Sequence, residues 1–263
     1  AGKFLCTRRR SLARLRLCWH MANVTDTAPF VNSPRVSRTV AYNKRDLILY
    51  ALGIGSRDPR YIYELHKDFA PFPTYPIVLA FKGDSFDTVT FPSPCMRDFP
   101  SPPMQGVKVG LDAEKLIEKV AELPKDGATL KLVGGTVGIH KKGSGALMER
   151  LFELVDDAGK VYYKIVDAGF MVGAKNFTDS GKTYSKSIKM PLEPPTRTLE
   201  TPTDEHITSL YRLSGDYNPL HVDHEFAKAS GFERPIIHGQ CTMGHVTRAL
   251  LDSLASGDQR RFR

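Results

Sequence analysis

The pattern of hydrophobic and polar residues changes character along the chain. Residues 43–55, NKRDLILYALGIG, place apolar side chains at helical spacing, with Asn43 as a capping residue and Gly53 or Gly55 as the end. Residues 128–176 form three apolar runs separated by glycine-rich and charged turns, which predicts three long antiparallel strands. The pattern therefore predicts an α+β protein in which a helix precedes a sheet.

Proline interrupts this pattern between the first helix and the strands. Residues 58–103 contain about half of the 18 prolines, and irregular segments of that length are usually functional or packed against another part of the protein. Within this stretch, residues 76–83 (PIVLAFKG) predict a short buried segment of helical or extended type. The next run, residues 111–124, has apolar positions that fit a helix or a strand.

The second half begins after a proline- and threonine-rich linker, residues 186–203. Short helices are predicted at residues 207–211 and 223–230, and a longer one at residues 239–254. An apolar stripe on the long helix would be costly to leave in water, so we expect the three-stranded sheet, or a partner subunit, to cover it. The stripe consists of Met243, Val246, Leu250 and Leu254.

The formal net charge of +8 is concentrated near the N-terminus. Of the 37 lysines and arginines, six fall within residues 1–20, which contain no acidic residue. The other residues carry 31 basic against 29 acidic side chains, which argues against a nucleic-acid-binding surface. Residues 1–20 are typical of a mitochondrial transit peptide. The alternative is a wrongly assigned start, with Met21 as the first residue.

The cysteine content points to a reducing compartment. The four cysteines are far apart and have no metal-type spacing, which argues against a disulfide framework. They are Cys6, Cys18, Cys95 and Cys241. No apolar run approaches the ~20 residues of a membrane span.

One loop carries side chains suited to acid–base chemistry. Residues 215–221, GDYNPLH, form a turn stiffened by proline, from which Asp216 and His221 both project. Two groups that exchange protons near neutral pH suit general acid–base catalysis on a single water. The alternative is an ordinary turn in which Asp216 caps the backbone.

A second feature lies at the start of the long helix, in residues 236–240, IIHGQ. A helix N-terminus offers free backbone N–H groups, and Gly239 lets a ligand approach them, so this is a candidate oxyanion hole. The alternative is that Gly239 is a plain helix cap. The density of histidines also raises a metal site, but no specific metal-binding spacing is present and we expect no metal. Its ligands would be His221, Asp223, His224 and His238.

These residues carry a resemblance to a known family. Residues 211–244, YRLSGDYNPLHVDHEFAKASGFERPIIHGQCTMG, are similar to the signature of R-specific enoyl-CoA hydratases (hydratase 2) of the MaoC-like hot-dog family. Residues 42–55, 61–74 and 141–145 resemble, in the same order, the N-terminal half of the eukaryotic peroxisomal double-hot-dog branch. The resemblance covers roughly residues 35–263.

The resemblance implies a double hot-dog fold, in which each curved antiparallel sheet wraps a helix. Residues 1–34 then form an arm or targeting segment, and residues 35–190 form a degenerate hot-dog that accommodates the acyl chain. Residues 191–263 form the catalytic hot-dog, incomplete because relatives continue for several more strands. The irregular residues 58–103 would lie beside the acyl tunnel, which favours medium and long chains.

The activity implied by the resemblance is reversible hydration of a trans-2-enoyl-CoA to a (3R)-3-hydroxyacyl-CoA in fatty-acid beta-oxidation. An Asp/His pair would activate the water, and the sequence does not assign base and acid within the pair. The resemblance implies the catalytic residues Asp216, His221, Asn218, Gly239 and Glu64, and the CoA-binding residues Lys142 and Gly143. One departure is Asp112-Ala113, where relatives carry a His-Gly pair that touches CoA.

The same resemblance implies an acyl-CoA thioester as substrate, no cofactor, no nucleic acid, no membrane span and a homodimer. It implies a peroxisomal location, with mitochondria as the alternative if residues 1–20 are a transit peptide. Two other functions stay open. One is a non-catalytic acyl-CoA-binding or scaffold protein, because of the missing strands, and the other is a MaoC-like dehydratase of acyl-carrier-protein substrates.

Overall fold

A computed structural model describes residues 24–93 and 99–262. The predictions for residues 1–20, for Met21 and for Cys95 lie outside the described residues. None of the helices in the described ranges has the length and hydrophobicity that a bilayer crossing requires.

An antiparallel sheet of six strands dominates the N-terminal half, with the order β1-β3-β4-β5-β2 and β6 paired to β3. The three strands predicted within residues 128–176 are confirmed as β3, β4 and β5. The strands are β1 (Val36–Asn43), β2 (Val109–Lys119), β3 (Gly127–Lys142), β4 (Gly145–Val155), β5 (Val161–Val172) and β6 (Ser180–Gly181).

The ambiguous run at residues 111–124 contributes the edge strand β2. Its apolar spacing alone fits either structure, and pairing with β5 resolves the ambiguity because it satisfies the backbone groups of a strand. Ile117 is buried in the core, whereas Leu111 and Leu116 are exposed.

The helices connect and cover this sheet. They are α1 (Ala28–Val31), α2 (Lys44–Gly53), α3 (Pro59–Ile62), α4 (Leu79–Lys82), α5 (Ile207–Tyr211), α6 (His224–Ala229) and α7 (Gly239–Leu254). The α2 helix begins as predicted, because Asn43 and Asp46 form a capping box, and it ends at Gly53. The predicted buried segment at residues 76–83 is helical: a 3₁₀ turn at Tyr75–Val78 leads into α4.

Aromatic side chains join the two halves in one core. Tyr50 of α2 lies with its ring centroid 5.6 Å from that of Tyr75 and 5.8 Å from that of Tyr211. All three side chains are completely buried. Helix α5 is thereby fixed against α2, and it leads directly into the loop that carries Asp216.

The long helix α7 packs on α2 through small residues. The Cys241 Sγ donates to the Gly53 carbonyl at 3.4 Å, and a Cβ on Gly244 would overlap the side chain of Ile54. This close approach sets which face of α7 is turned inward.

The expectation that the sheet covers the apolar stripe of α7 is wrong for three of its four residues. Met243 packs against the core, but Val246, Leu250 and Leu254 are 45–65% exposed. The physical reason is that Cys241 and Gly244, rather than the stripe, make the closest contact with α2.

Candidate active site

The loop of residues 215–223 is held by its own backbone and by the N-terminal half. Gly215 has a φ of 137°, and a Cβ there would lie 2.9 Å from the backbone nitrogen of Lys82. Asn218 caps a 3₁₀ turn at Pro219–His221 by accepting from the backbone N–H of Leu220 at 3.1 Å. This glycine, the asparagine cap and the proline together fix the directions in which the side chains of Asp216 and His221 point.

Asp216 is buried at the start of this turn. Its Oδ1 accepts from the backbone N–H of Asn218 at 3.2 Å. The side chain thus forms the backbone-capping turn that the sequence leaves open as an alternative, and at the same time it lies beside His221. Burial raises the pKa of Asp216, while the bond from Asn218 and the positive charge of His221 oppose the increase.

His221 is fixed in one tautomer. Its Nδ1 lies 2.8 Å from the carbonyl oxygen of Ile236, and because a carbonyl only accepts, Nδ1 carries the proton. The Nε2 of a neutral His221 is therefore the atom with a free lone pair. The residue also lines an open cavity of about 660 Å³ together with Arg234 and Ile237.

A third group is His238, which the sequence offers only as a candidate metal ligand and not as a member of the acid–base site. Its ring stacks on that of His221, with centroids 3.7 Å apart and planes 27° from parallel. Its Nε2 donates to the backbone carbonyl of Asp216 at 3.2 Å, and the residue is 1% exposed. Burial, aided by the charge of His221, lowers the pKa of His238 to about 3, so this imidazole is neutral at physiological pH. The signal available in the sequence was its position next to Gly239.

Gly239 is the first residue of α7, and the preceding His238 is the cap residue, so the alternative that Gly239 itself is the cap does not hold. The side chain of the cap residue His238 does not bond to the backbone N–H groups of this helix start. These N–H groups and the positive end of the helix dipole suit a developing negative charge.

The residues considered for a metal site do not converge on one ion. Asp223 caps α6 with its side chain, and His224 is exposed. Asp216, His221 and His238 have ligand atoms within 4.8 Å of one another. The two rings are stacked, however, so their in-plane lone pairs lie in nearly parallel planes and do not meet at a bonding distance of about 2 Å.

The remaining predicted residues lie elsewhere. Glu64 is exposed in a turn after α3 and is not part of the buried group formed by Asp216, His221 and His238. Lys142 is the last residue of β3 and Gly143 begins the β3–β4 turn with a φ of 47°, and both residues are exposed. Lys142 lines a surface cavity of about 310 Å³ that also includes Ala113.

Two family models match the chain. One is described as the MFE-2 hydratase 2 N-terminal domain and matches residues 40–173, and the other is described as a MaoC like domain and matches residues 186–263. A crystal structure of a MaoC-like dehydratase from Phytophthora Capsici superposes with a TM-score of 0.83 and 37% identity. The similarity covers 89% of this chain and 79% of that one.

Curated relatives give the same result. The peroxisomal multifunctional enzyme type 2 of Drosophila melanogaster is 35% identical over 84% of this chain and 38% of its own length. A peroxisomal enoyl-CoA hydratase 2 of Arabidopsis thaliana is 30% identical, and the similarity covers 82% of this chain and 73% of that protein. The chain spans about a third of the length of the multifunctional enzymes from fly and mouse.

Proposed function

The chain belongs to the MaoC-like family, in its hydratase 2 branch and with the hot-dog fold, and from that premise we propose that it catalyses reversible hydration of trans-2-enoyl-CoA thioesters to (3R)-3-hydroxyacyl-CoA. The observation that carries the proposal is the pairing of buried Asp216 with His221 of fixed tautomer, beside the start of α7. The relatives named enoyl-CoA hydratase 2 support the reaction class.

In this proposal Asp216 and His221 hold one water between them. The water oxygen bonds to the β carbon of the enoyl thioester as one of its protons passes to the pair. The pair delivers one proton to the α carbon, so its total proton count is restored. The free Nε2 of His221 is placed to accept a proton because its Nδ1 is committed to Ile236. Asn218 has no proton to transfer, and it orients Asp216 through its backbone N–H.

The backbone N–H of Gly239 would stabilise the thioester oxygen as the enolate forms. The N–H is at a helix start that has no side-chain cap, so it is available to a ligand. Because the β carbon and the thioester carbonyl are conjugated, one face of the substrate would meet the Asp/His pair while its oxygen meets α7.

The acyl chain would enter between α4 and the sheet. A small cavity of about 20 Å³ lies there, and most of its lining is apolar, with Ala80 and Phe81 on one side and Leu132 and Phe152 on the other. Gln240, next to Gly239, and the ion pair of Lys115 with Asp167 complete the lining. This volume holds about one water, so a medium or long chain requires these side chains to move apart. The CoA moiety would leave along the sheet towards Lys142, whose ammonium group suits a phosphate.

A homodimer and a peroxisomal location complete the proposal. The location is supported by the peroxisomal names of relatives from fly, mouse and Arabidopsis.

The test is an assay of trans-2-enoyl-CoA hydration. Turnover is measured as the loss of enoyl absorbance, and the product is identified by chiral analysis. We expect the (3R) product, and Asp216→Ala or His221→Ala should each lower turnover about 100-fold or more. His206→Ala is the matched control, since that histidine is exposed just before α5 and does not line the cavity that contains His221. An (S) product, or near wild-type turnover in either variant, would contradict the assignment. Acyl-CoA binding without turnover, unchanged by Asp216→Asn, would identify a binding protein instead.

A further inference from the structure

The edge strand β2 has an irregularity opposite the candidate active site. Its pairing with β5 shifts register between Asp112 and Glu114, so Ala113 has no partner in the ladder. Bulges of this kind change the direction of a side chain and are common beside active sites. Here the carboxylate of Asp112 reaches the start of α7: its Oδ2 lies 3.6 Å from the point where a Cβ on Gly239 would be.

Lys115 restrains this carboxylate. Its ammonium group forms ion pairs with Asp112 and with Asp167 of the neighbouring strand β5. The lysine side chain is 10% exposed, whereas that of Asp112 is 46% exposed. Burial lowers the pKa of Lys115, but the charges of Asp167 and Asp112 outweigh this and raise it, so the ammonium group stays charged.

We propose that Asp112 is a positioning residue of this site, and that its negative charge, balanced by Lys115, sets the electrostatic environment of Asp216 and of the Gly239 N–H. The role of Asp112 in turnover rests on the proposed hydration reaction. In that role Asp112 acts through Asp216 and the Gly239 N–H rather than on the substrate.

The titratable groups that face Asp216 lie on four elements. Tyr211 on α5 is one of them, and it stays neutral because burial raises its pKa. His221 is on the same loop, His238 is at the start of α7, and Asp112 and Lys115 are on β2. Asp112 adds to the effect of burial and raises the pKa of Asp216, whereas Lys115 lowers it. His238 is neutral above a pH of about 3 and contributes no charge near neutrality. Neutralising Asp112 and neutralising Lys115 must therefore shift the titration of Asp216 in opposite directions.

The experiment compares Asp112→Asn and Lys115→Met with the wild-type chain. The titration midpoint of the Asp216 carboxyl is measured by NMR on ¹³C-labelled aspartate, with the resonance assigned by its loss in Asp216→Asn. We expect the midpoint to fall by roughly 0.5 pH unit in Asp112→Asn and to rise by a similar amount in Lys115→Met. The acidic limb of the pH profile of kcat/KM should move with it.

Two control variants separate charge from structure. Lys115→Arg keeps the charge if Lys115→Met does not fold, and it should leave the midpoint unchanged. Glu118→Gln removes a negative charge from an exposed position farther along β2 and should also have no effect. Unchanged midpoints in Asp112→Asn and in Lys115→Met, or shifts in the same direction, would overturn the inference. Opposite NMR shifts without any movement of the pH profile would instead contradict the role of Asp216 in turnover.

Discussion

His221 and His238 lie face to face, with their ring centroids 3.7 Å apart. One ring has a free nitrogen beside a buried carboxyl, and the other is held neutral by burial. A neutral ring tolerates the appearance of a positive charge on its neighbour, whereas a second imidazolium at this distance would oppose it. In the proposed reaction, a neutral His238 would therefore allow His221 to change its protonation state.

His238 should make the protein sensitive to acid. The pKa of His238 is about 3 in the folded protein and 6.5 in the unfolded chain. Between these two values, only the unfolded chain binds a proton at this imidazole. Protonation of His238 therefore has no effect on the free energy of unfolding above pH 6.5, and it lowers that free energy by up to about 5 kcal/mol as the pH falls towards 3. Urea unfolding at several pH values should show this slope in the wild type and a smaller one in His238→Asn. His224→Asn, at an exposed site, should keep the wild-type slope.

Asp216→Asn should stabilise the protein at neutral pH while abolishing activity. The folded-state pKa of Asp216 is raised by burial, so folding favours the protonated carboxyl. The free-energy cost of burying the ionised Asp216 carboxylate is absent below pH 3.8, the ordinary pKa of an aspartate. This cost grows as the pH rises above 3.8 and is complete above the folded-state pKa. The melting temperature of the variant should exceed that of the wild type at pH 7, and the two should approach each other at pH 3.5. A variant less stable than the wild type at pH 7 would contradict this reading.

Two glycines of α7 should behave differently when replaced by alanine. A methyl group on Gly239 meets only the Asp112 carboxylate at 3.6 Å, an ordinary contact. Gly239→Ala should therefore fold normally and lose about 10-fold or more of its turnover, because the methyl group obstructs the backbone N–H. Gly244→Ala should instead lose about 1–3 kcal/mol of stability, because the methyl group overlaps Ile54. Equal effects of the two substitutions on stability would show that α7 does not pack on α2 through Gly244 as described.

The acyl path can be tested by filling it. Ala80 lines the small cavity between α4 and the sheet, so Ala80→Phe should lower kcat/KM for long-chain enoyl-CoA by about 10-fold or more while changing the four-carbon substrate little. Ala229→Phe, at an exposed position on α6, is the control. A uniform loss across chain lengths would place the acyl chain elsewhere.

An element could be predicted from the sequence where the contacts that determine its structure are local in the chain. The α2 helix was predicted from its helical spacing with Asn43 as its cap, and β3 to β5 were predicted from three apolar runs and the turns between them. Strand β2 could not be predicted as a strand, since its apolar spacing fits a helix equally well and its partner residues in β5 lie 44 to 63 positions further along the chain.

The candidate site shows the same division. Asp216 and His221 were found because one rigid loop carries both. The stacking of His238 on His221, and the approach of Asp112 to Gly239, depend on how separate elements pack. Only the folded chain reveals those two relationships. The proposed roles of Glu64 and Lys142 stay predictions.

The linker of residues 186–203 is mostly exposed and has no regular secondary structure, yet packing holds together the two halves that it joins. Gly215 rests on Lys82, and α7 is bound to α2 through Cys241 and Arg248, whose Nε donates to the carbonyl of Ile54. The covalent connection is therefore not what aligns Asp216 with the N-terminal half. A chain cut within this linker is expected to stay assembled, so the protein is suited to fragment complementation, in which two separately produced pieces regain activity on mixing.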